Sequence, residues 1–325
     1  MRNWTFAHVC DTQPGSPRSF RFRPADLENQ QTAYAQIREL APDLVLVGGD
    51  LTRDGSIHDF EFAEARANLD ALGIPYRAIP GNMDTGNKHT RVQGALPQRD
   101  DLALNVTSGQ LSAFARHFGE FPWTFVHKNV RFTGIYAAVA GSGLPEEDRL
   151  WDFLDALPGL PRAAHHVAMT HYPLFVDRMD EPNFDITDPE HYHDWYFCID
   201  HPHRDRIVER FKAAGVGLVF SGHIHCRRPP QTVDGIRFYK AAATSFGQWA
   251  DRFPDGDTTR GFYAATVSDE GVDCRFVPLA RVSARTDGYG PGGHPRPEDR
   301  DYSLAWEPPP ATSAGRMRPS GGRFG

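Results

Sequence analysis

The residues of this 325-residue chain best suited to chemistry stand where short apolar runs stop. Asp11-Thr12-Gln13, Gly49-Asp50, Gly81-Asn82, His171 and Gly222-His223-Ile224-His225 each follow such a run directly. Carboxylate, amide oxygen and imidazole together suit Mn, Fe or Zn. A single Asp or His after a strand is an ordinary turn residue. Five such segments in series are different, because ligands of open α/β sheets bind beyond the carboxyl ends of the strands, so the repetition converges the side chains on one crevice. Glycines at 48, 49, 81 and 222 let the backbone turn where those side chains must meet. The chain has no G-x-S-x-G elbow and no Cys-His pairing to suggest a protein nucleophile.

These residues need strands to deliver them and helices to bring the chain back. Residues 4–10, 43–47, 76–79, 166–170 and 216–220 read as buried strands, each feeding one of the five segments. Helical spacing is predicted over 26–40, ended by Pro42, then over 59–72, 109–118 and 146–157, and again from Arg204. Further strands are predicted near Phe125 and over 132–138, and residues 87–108 and 176–203 read as irregular. Alternating strands and helices predict an α/β sheet structure. The runs at 236–242, 261–267 and 272–278 are close enough in sequence to form one antiparallel group. From residue 283 to 325 the chain turns to Gly, Pro, Arg and Ser, too polar to offset its ordering entropy, so a tail that is mobile or draped over the surface is expected after a domain at 1–282.

Composition narrows the partners. With 40% hydrophobic residues the chain can bury a full core, and its net charge of −7 gives no electrostatic footprint for nucleic acid, which is not an expected partner. No apolar run before Asp11 suits a signal peptide, and none approaches the roughly 20 residues of a membrane-spanning helix. A membrane is therefore not expected as a partner, and a cytoplasmic location is. Four widely spaced cysteines, at 10, 198, 226 and 274, fit buried reduced thiols better than a disulfide or zinc framework.

In this order the segments resemble the calcineurin-like metallophosphoesterase family, whose pattern is D-x-H, G-D, G-N-H-D/E, a lone H and G-H-x-H. The match runs from Phe6 to about Leu279. The resemblance implies a four-layer α/β/β/α sandwich of two mixed sheets flanked by helices, the metallo-dependent phosphatase fold. It implies two metal ions, Mn, Fe or Zn, with Asp50 bridging. Asp11, Gln13, Asp50 and His225 would surround the first ion, and Asp50, Asn82, His171 and His223 the second. Asp50, Asn82 and His223 would be catalytic, with Asn82 and His223 also touching substrate. Two such ions about 3.5–4 Å apart clamp a phosphate and acidify a bridging water, so the nucleophile would be hydroxide. The expected activity is hydrolysis of a small-molecule or nucleotide phosphoester, as a phosphatase or phosphodiesterase. The alternatives are a cyclic-nucleotide phosphodiesterase and a catalytically weak metal-binding scaffold of the same fold.

Two positions depart from the pattern. Gln13 replaces the histidine of D-x-H, and would ligate through its amide oxygen or hydrogen-bond a metal-bound water. Met83 replaces the histidine of G-N-H-D, and a thioether cannot protonate a leaving group. His89 is the nearest replacement acid, while Asp84 keeps its place to orient the Asn82 loop. Residues 176–203 form an insertion rich in histidine and aromatic residues, including His191, His193, His201, His203, Tyr192, Trp195, Tyr196 and Phe197. Such an insertion is expected to cap the site, with Trp195 stacking on substrate and Arg204 meeting a phosphate. Oligomeric state is not readable from these residues.

Overall fold

The computed structural model describes residues 3–17, 19, 21–96 and 101–288. β1 (Trp4–Val9), α1 (Pro24–Leu40), β2 (Leu44–Val47), α2 (Asp59–Asp70) and β3 (Tyr76–Ala78) alternate as predicted. A single turn, α3 (Asn82–Thr85), precedes α4 (Ser108–Phe118) and the hairpin β4 (Trp123–His127) and β5 (Val130–Gly134). Then come α5 (Pro145–Ala156), β6 (His165–Met169), α6 (Tyr192–Phe197), α7 (His203–Ala214) and β7 (Leu218–Ser221). β8 (Gln231–Val233), β9 (Ile236–Lys240), β10 (Gly261–Val267) and β11 (Val272–Pro278) complete the fold.

Local chemistry sets the boundaries. Pro24 opens α1, where a missing N–H costs nothing, and Ala41 closes it in the left-handed region with its N–H on the carbonyls of Ile37 and Arg38. Thr107 and Gln110 form a reciprocal capping box at the start of α4.

The strands form two mixed sheets, ordered β11-β10-β1-β2-β3 and β4-β5-β6-β7-β9-β8. β1, β2 and β3 run parallel, as do β5, β6, β7 and β9, while β10, β11, β4 and β8 pair antiparallel. Phe6, Leu44 and Leu46 of one sheet meet Phe132, Val167, Met169 and Phe220 of the other, with the Phe6 ring edge-on to Phe132 at 5.2 Å. The alternate residues Ala7, Val9, Val45 and Val47 face the outer helical layer with Ala33, Ile37 and Phe62. Both faces of each sheet are thus covered, which is why the strands read as continuous apolar runs.

Three details differ from the sequence reading. β9 does not join β10 and β11: it pairs parallel with β7 in the second sheet, and its hairpin partner β8 was not predicted. Asp234-Gly235, both at positive φ, is the two-residue turn that makes this hairpin. The strand predicted over 132–138 ends at Gly134, and a turn of 3-10 helix occupies Ala137–Val139. The segment 176–203 is not wholly irregular, since it contains α6. Ser283 bonds Asn29 and Glu28 of α1, and residues 289–325 of the expected tail lie outside the described residues. No described helix is long and apolar enough to cross a membrane.

Candidate metal centre

The parallel strands deliver donors from both sheets to one place. Asp11 follows β1, Asp50 follows β2 and Asn82 follows β3, while His171 follows β6 and His223 and His225 follow β7. All six are buried. Potential ligand atoms of Asp11, Asp50 and His225 lie within 4.8 Å of one another. Asp11 Oδ1 is 3.3 Å from His225 Nε2, and Asp50 Oδ1 is 3.3 Å from His171 Nε2. Asn82 Oδ1 lies 3.1 Å from His171 Nε2 and 2.9 Å from His223 Nδ1. The segments that sequence reasoning singled out are therefore one cluster.

The imidazoles are oriented from behind. His171 Nδ1 lies 2.9 Å from the Gly48 carbonyl, His225 Nδ1 3.0 Å from that of Phe246, and His223 Nε2 2.9 Å from that of Tyr196. A carbonyl only accepts, so each of these nitrogens carries a proton and the other nitrogen turns into the cluster, toward Asp50 and Asn82 from His171, toward Asp11 from His225 and toward the Asn82 amide oxygen from His223. This is how protein histidines are prepared for a metal, and with three imidazoles, two carboxylates and an amide oxygen turned to one place the donor set fits one.

Close approach makes heavy demands on the backbone. Asp11, Gln13, Asp50, His223 and His225 all have positive φ, an uncommon conformation for residues with a Cβ that costs on the order of 1–3 kcal/mol each. A Cβ on Gly81 would stand 2.1 Å from Asp50 Oδ1, and one on Gly222 would stand 2.4 Å from Asp11 Oδ2. Only glycine leaves room there. Asp84 joins the Asn82 and Asp50 loops as expected, accepting from the amides of Gly81, Leu51 and Thr52 at 2.8, 3.2 and 3.0 Å.

The electrostatics favour positive charge at the centre. Burial opposes the charge of His171, yet Asp50 and Asp11 overcome it and push the imidazole up to about 9. Burial alone would raise the Asp11 carboxyl, but His225 and His171 hold it well below the usual carboxylate range. His223 is pushed far down by burial and by His171, and stays neutral.

Other predicted site residues sit elsewhere or face another way. Gln13 reaches the cluster, but Arg53 Nη1 donates to its Oε1 at 2.9 Å, so its amide nitrogen faces Asp50 Oδ2 at 2.6 Å. An amide nitrogen does not ligate, and in this orientation Gln13 is a donor to the cluster. Arg204 is not a surface cation for phosphate: it is fully buried and spent on Glu181 and His201. Trp195 is not open for stacking: it is buried, with Lys88 Nζ 4.4 Å over its ring. Lys88 turns inward to the Cys198 carbonyl and Asp200, while His89 is half-buried with Arg91 and Glu147 as its charged neighbours. Sequence reasoning assigned no role to Arg53, and named Tyr196 only among the aromatic residues of the insertion.

A family profile described as calcineurin-like phosphoesterase matches residues 5–227, which span every donor above. The chain belongs to the calcineurin-like phosphoesterase family. It is accordingly a metal-dependent phosphoric ester hydrolase. The chain is similar to a zebrafish (Danio rerio) protein named serine/threonine-protein phosphatase CPPED1, at 30% identity over 303 residues, 86% of each chain. It is also similar to a probable cyclic nucleotide phosphodiesterase of Synechococcus, at 30% identity over 80 residues, 25% of this chain and 31% of that one. Among solved structures it matches a purple acid phosphatase from yellow lupin with a TM-score of 0.54 at 12% identity, covering 88% of this chain and 53% of that one. This likeness is one of fold, and the two mixed sheets flanked by helices are its substance.

Proposed function

We propose that this family member is a two-metal phosphomonoesterase, with Asp11, Asp50 and His225 holding one ion and Asp50, Asn82, His171 and His223 the other. The observation that carries this reading is the set of three histidines, each tied to a backbone carbonyl with its second nitrogen aimed into the cluster of Asp11, Asp50 and Asn82. Ions held by these residues would acidify a water and offset the charge that develops on a transferring phosphoryl group. The chain's own residues orient the reaction. Asp50 is braced by the Met83 amide at 2.8 Å, and Asn82 is fixed between His171 and His223. Such bracing holds a substrate phosphate in a single attitude.

Phosphoserine and phosphothreonine esters are the leading substrate class, supported by the name of the zebrafish relative. Cyclic nucleotides are the second reading, supported by the shorter match to the Synechococcus protein. The test is elemental analysis of the purified chain, followed by hydrolysis assays with added Mn on phosphoserine, phosphothreonine, a small-molecule monoester, a diester and cyclic AMP. Bound metal with turnover of monoesters above diesters is expected. Absence of hydrolysis on every substrate in the metal-loaded protein would sink the reading.

A further inference from the structure

We propose that the Tyr196 hydroxyl contacts substrate at this centre, donating a hydrogen bond to the oxygen that leaves phosphorus and filling the role that Met83 cannot. The inference rests on the phosphomonoesterase reading above and names a residue beyond the proposed metal ligands.

The argument starts at Asn82. Its Oδ1 faces His171 and His223, and its Nδ2 donates to the Tyr196 hydroxyl at 2.8 Å. The sulfur of Met83 is 3.5 Å from the same nitrogen. Phenol and thioether therefore flank one atom beside the ligand cluster. Methionine stands where the family pattern puts a histidine, and its thioether has no proton to share. A phenol both accepts and donates, and accepting from Asn82 does not consume its proton.

The hydroxyl is also held still. Tyr196 lies on α6, whose other side chains serve as anchors. Tyr192 bonds Asp101, Asp194 receives Arg252 Nε at 2.8 Å, and Trp195 lies beneath Lys88. Phe197 packs on Trp249 at 5.1 Å and Phe253 at 5.6 Å. The Tyr196 carbonyl takes the His223 Nε2 proton at 2.9 Å, so one residue supports a proposed ligand with its backbone and borders the site with its side chain. Tyr196 and Met83 are half-buried where the proposed ligands are buried, so both keep an opening to solvent beside the cluster.

A donor at that position acts on charge that grows as the ester bond breaks. Its effect is greatest for alkyl esters, whose oxygen departs with the most charge. The decisive experiment compares Tyr196→Phe with the unaltered, Mn-loaded full chain on phosphoserine and on a series of substituted phenyl phosphates. Removal of one such donor lowers turnover by about 10²–10³-fold where it matters. That loss is expected on phosphoserine, with a loss of less than about tenfold on p-nitrophenyl phosphate and a steeper dependence on leaving-group basicity. Bound metal measured by mass spectrometry is expected to be unchanged, and calorimetry should show weaker binding of inorganic phosphate. Met83→His should rescue phosphoserine hydrolysis in the Tyr196→Phe background and add little in the unaltered chain, a non-additivity that a merely structural tyrosine would not show. Equal loss across the ester series, no loss at all, or loss of metal would overturn the role of Tyr196 while leaving the phosphomonoesterase reading intact. An unaltered chain that hydrolyses nothing would overturn both.

Discussion

Arg53 Nη1 donates to Gln13 Oε1 at 2.9 Å, and that bond decides which end of the amide the metal cluster meets. A guanidinium can only donate, so turning the amide oxygen inward would set two donors against each other. Gln13 is thereby a support to the proposed ligands.

Gln13→Ala should consequently weaken Mn binding by about 10–100-fold, the usual cost of losing an outer partner, while Asp50→Asn should abolish binding at one or both positions. Competition with a chromogenic chelator measures both. Equal loss from the two substitutions would instead assign Gln13 a direct bond to metal.

Arg204 makes the opposite kind of prediction, because it concerns stability and not substrate. Removing a partner from a buried ion pair costs about 3–5 kcal/mol, and Arg204 is the partner of Glu181, which also accepts from the amides of Val176, Asp177 and Arg178. Arg204→Met should lower the urea midpoint by a corresponding amount and speed amide exchange around residues 176–181. The KM for a monoester should stay within about twofold, since a fully buried guanidinium meets no phosphate.

His8 sets a pH dependence. Its ring stacks on Phe220 at 4.4 Å, neither nitrogen has a partner, and burial pushes its pKa down to about 3 against the ordinary 6.5, with Asp11 opposing weakly. Between those values the unfolded chain binds a proton that the folded chain refuses, so stability is full above pH 6.5 and falls as pH drops toward 3. At pH 5 this one residue costs about 2 kcal/mol relative to pH 7.5. His8→Phe should remove that part of the pH dependence and move the acid midpoint lower, as urea titrations at the two pH values would show. His166, pushed down to about 4 by burial, acts in the same direction.

The site was legible in the sequence wherever a donor was tied to its strand. Asp11, Asp50, Asn82, His171, His223 and His225 each follow an apolar run, and parallel strands within a sheet carry such positions to the same end. What lay in the insertion was harder to read, because side-chain direction there is set by distant partners. Trp195 and Tyr196 are neighbours with similar chemistry, and it is Lys88 and Arg252 that turn the first into the core and leave the second facing Asn82. Arg204 looked like a surface cation among polar residues, since nothing local announces that Glu181 will close over it. The fold shows the same division. β1, β2 and β3 were readable from local pattern, whereas the placement of β9 beside β7 depends on a crossover that nearness in sequence does not reveal.

Three of the proposed ligands come from each sheet, so the cluster is a clasp across the seam where Phe6 packs on Phe132. Metal binding there and closure of the sandwich would on that account be linked, each favouring the other. A chelator would then loosen the seam, and a cavity cut beneath it among the inter-sheet aromatics would weaken metal binding. Activity in this architecture is a gauge of how firmly two sheets are shut.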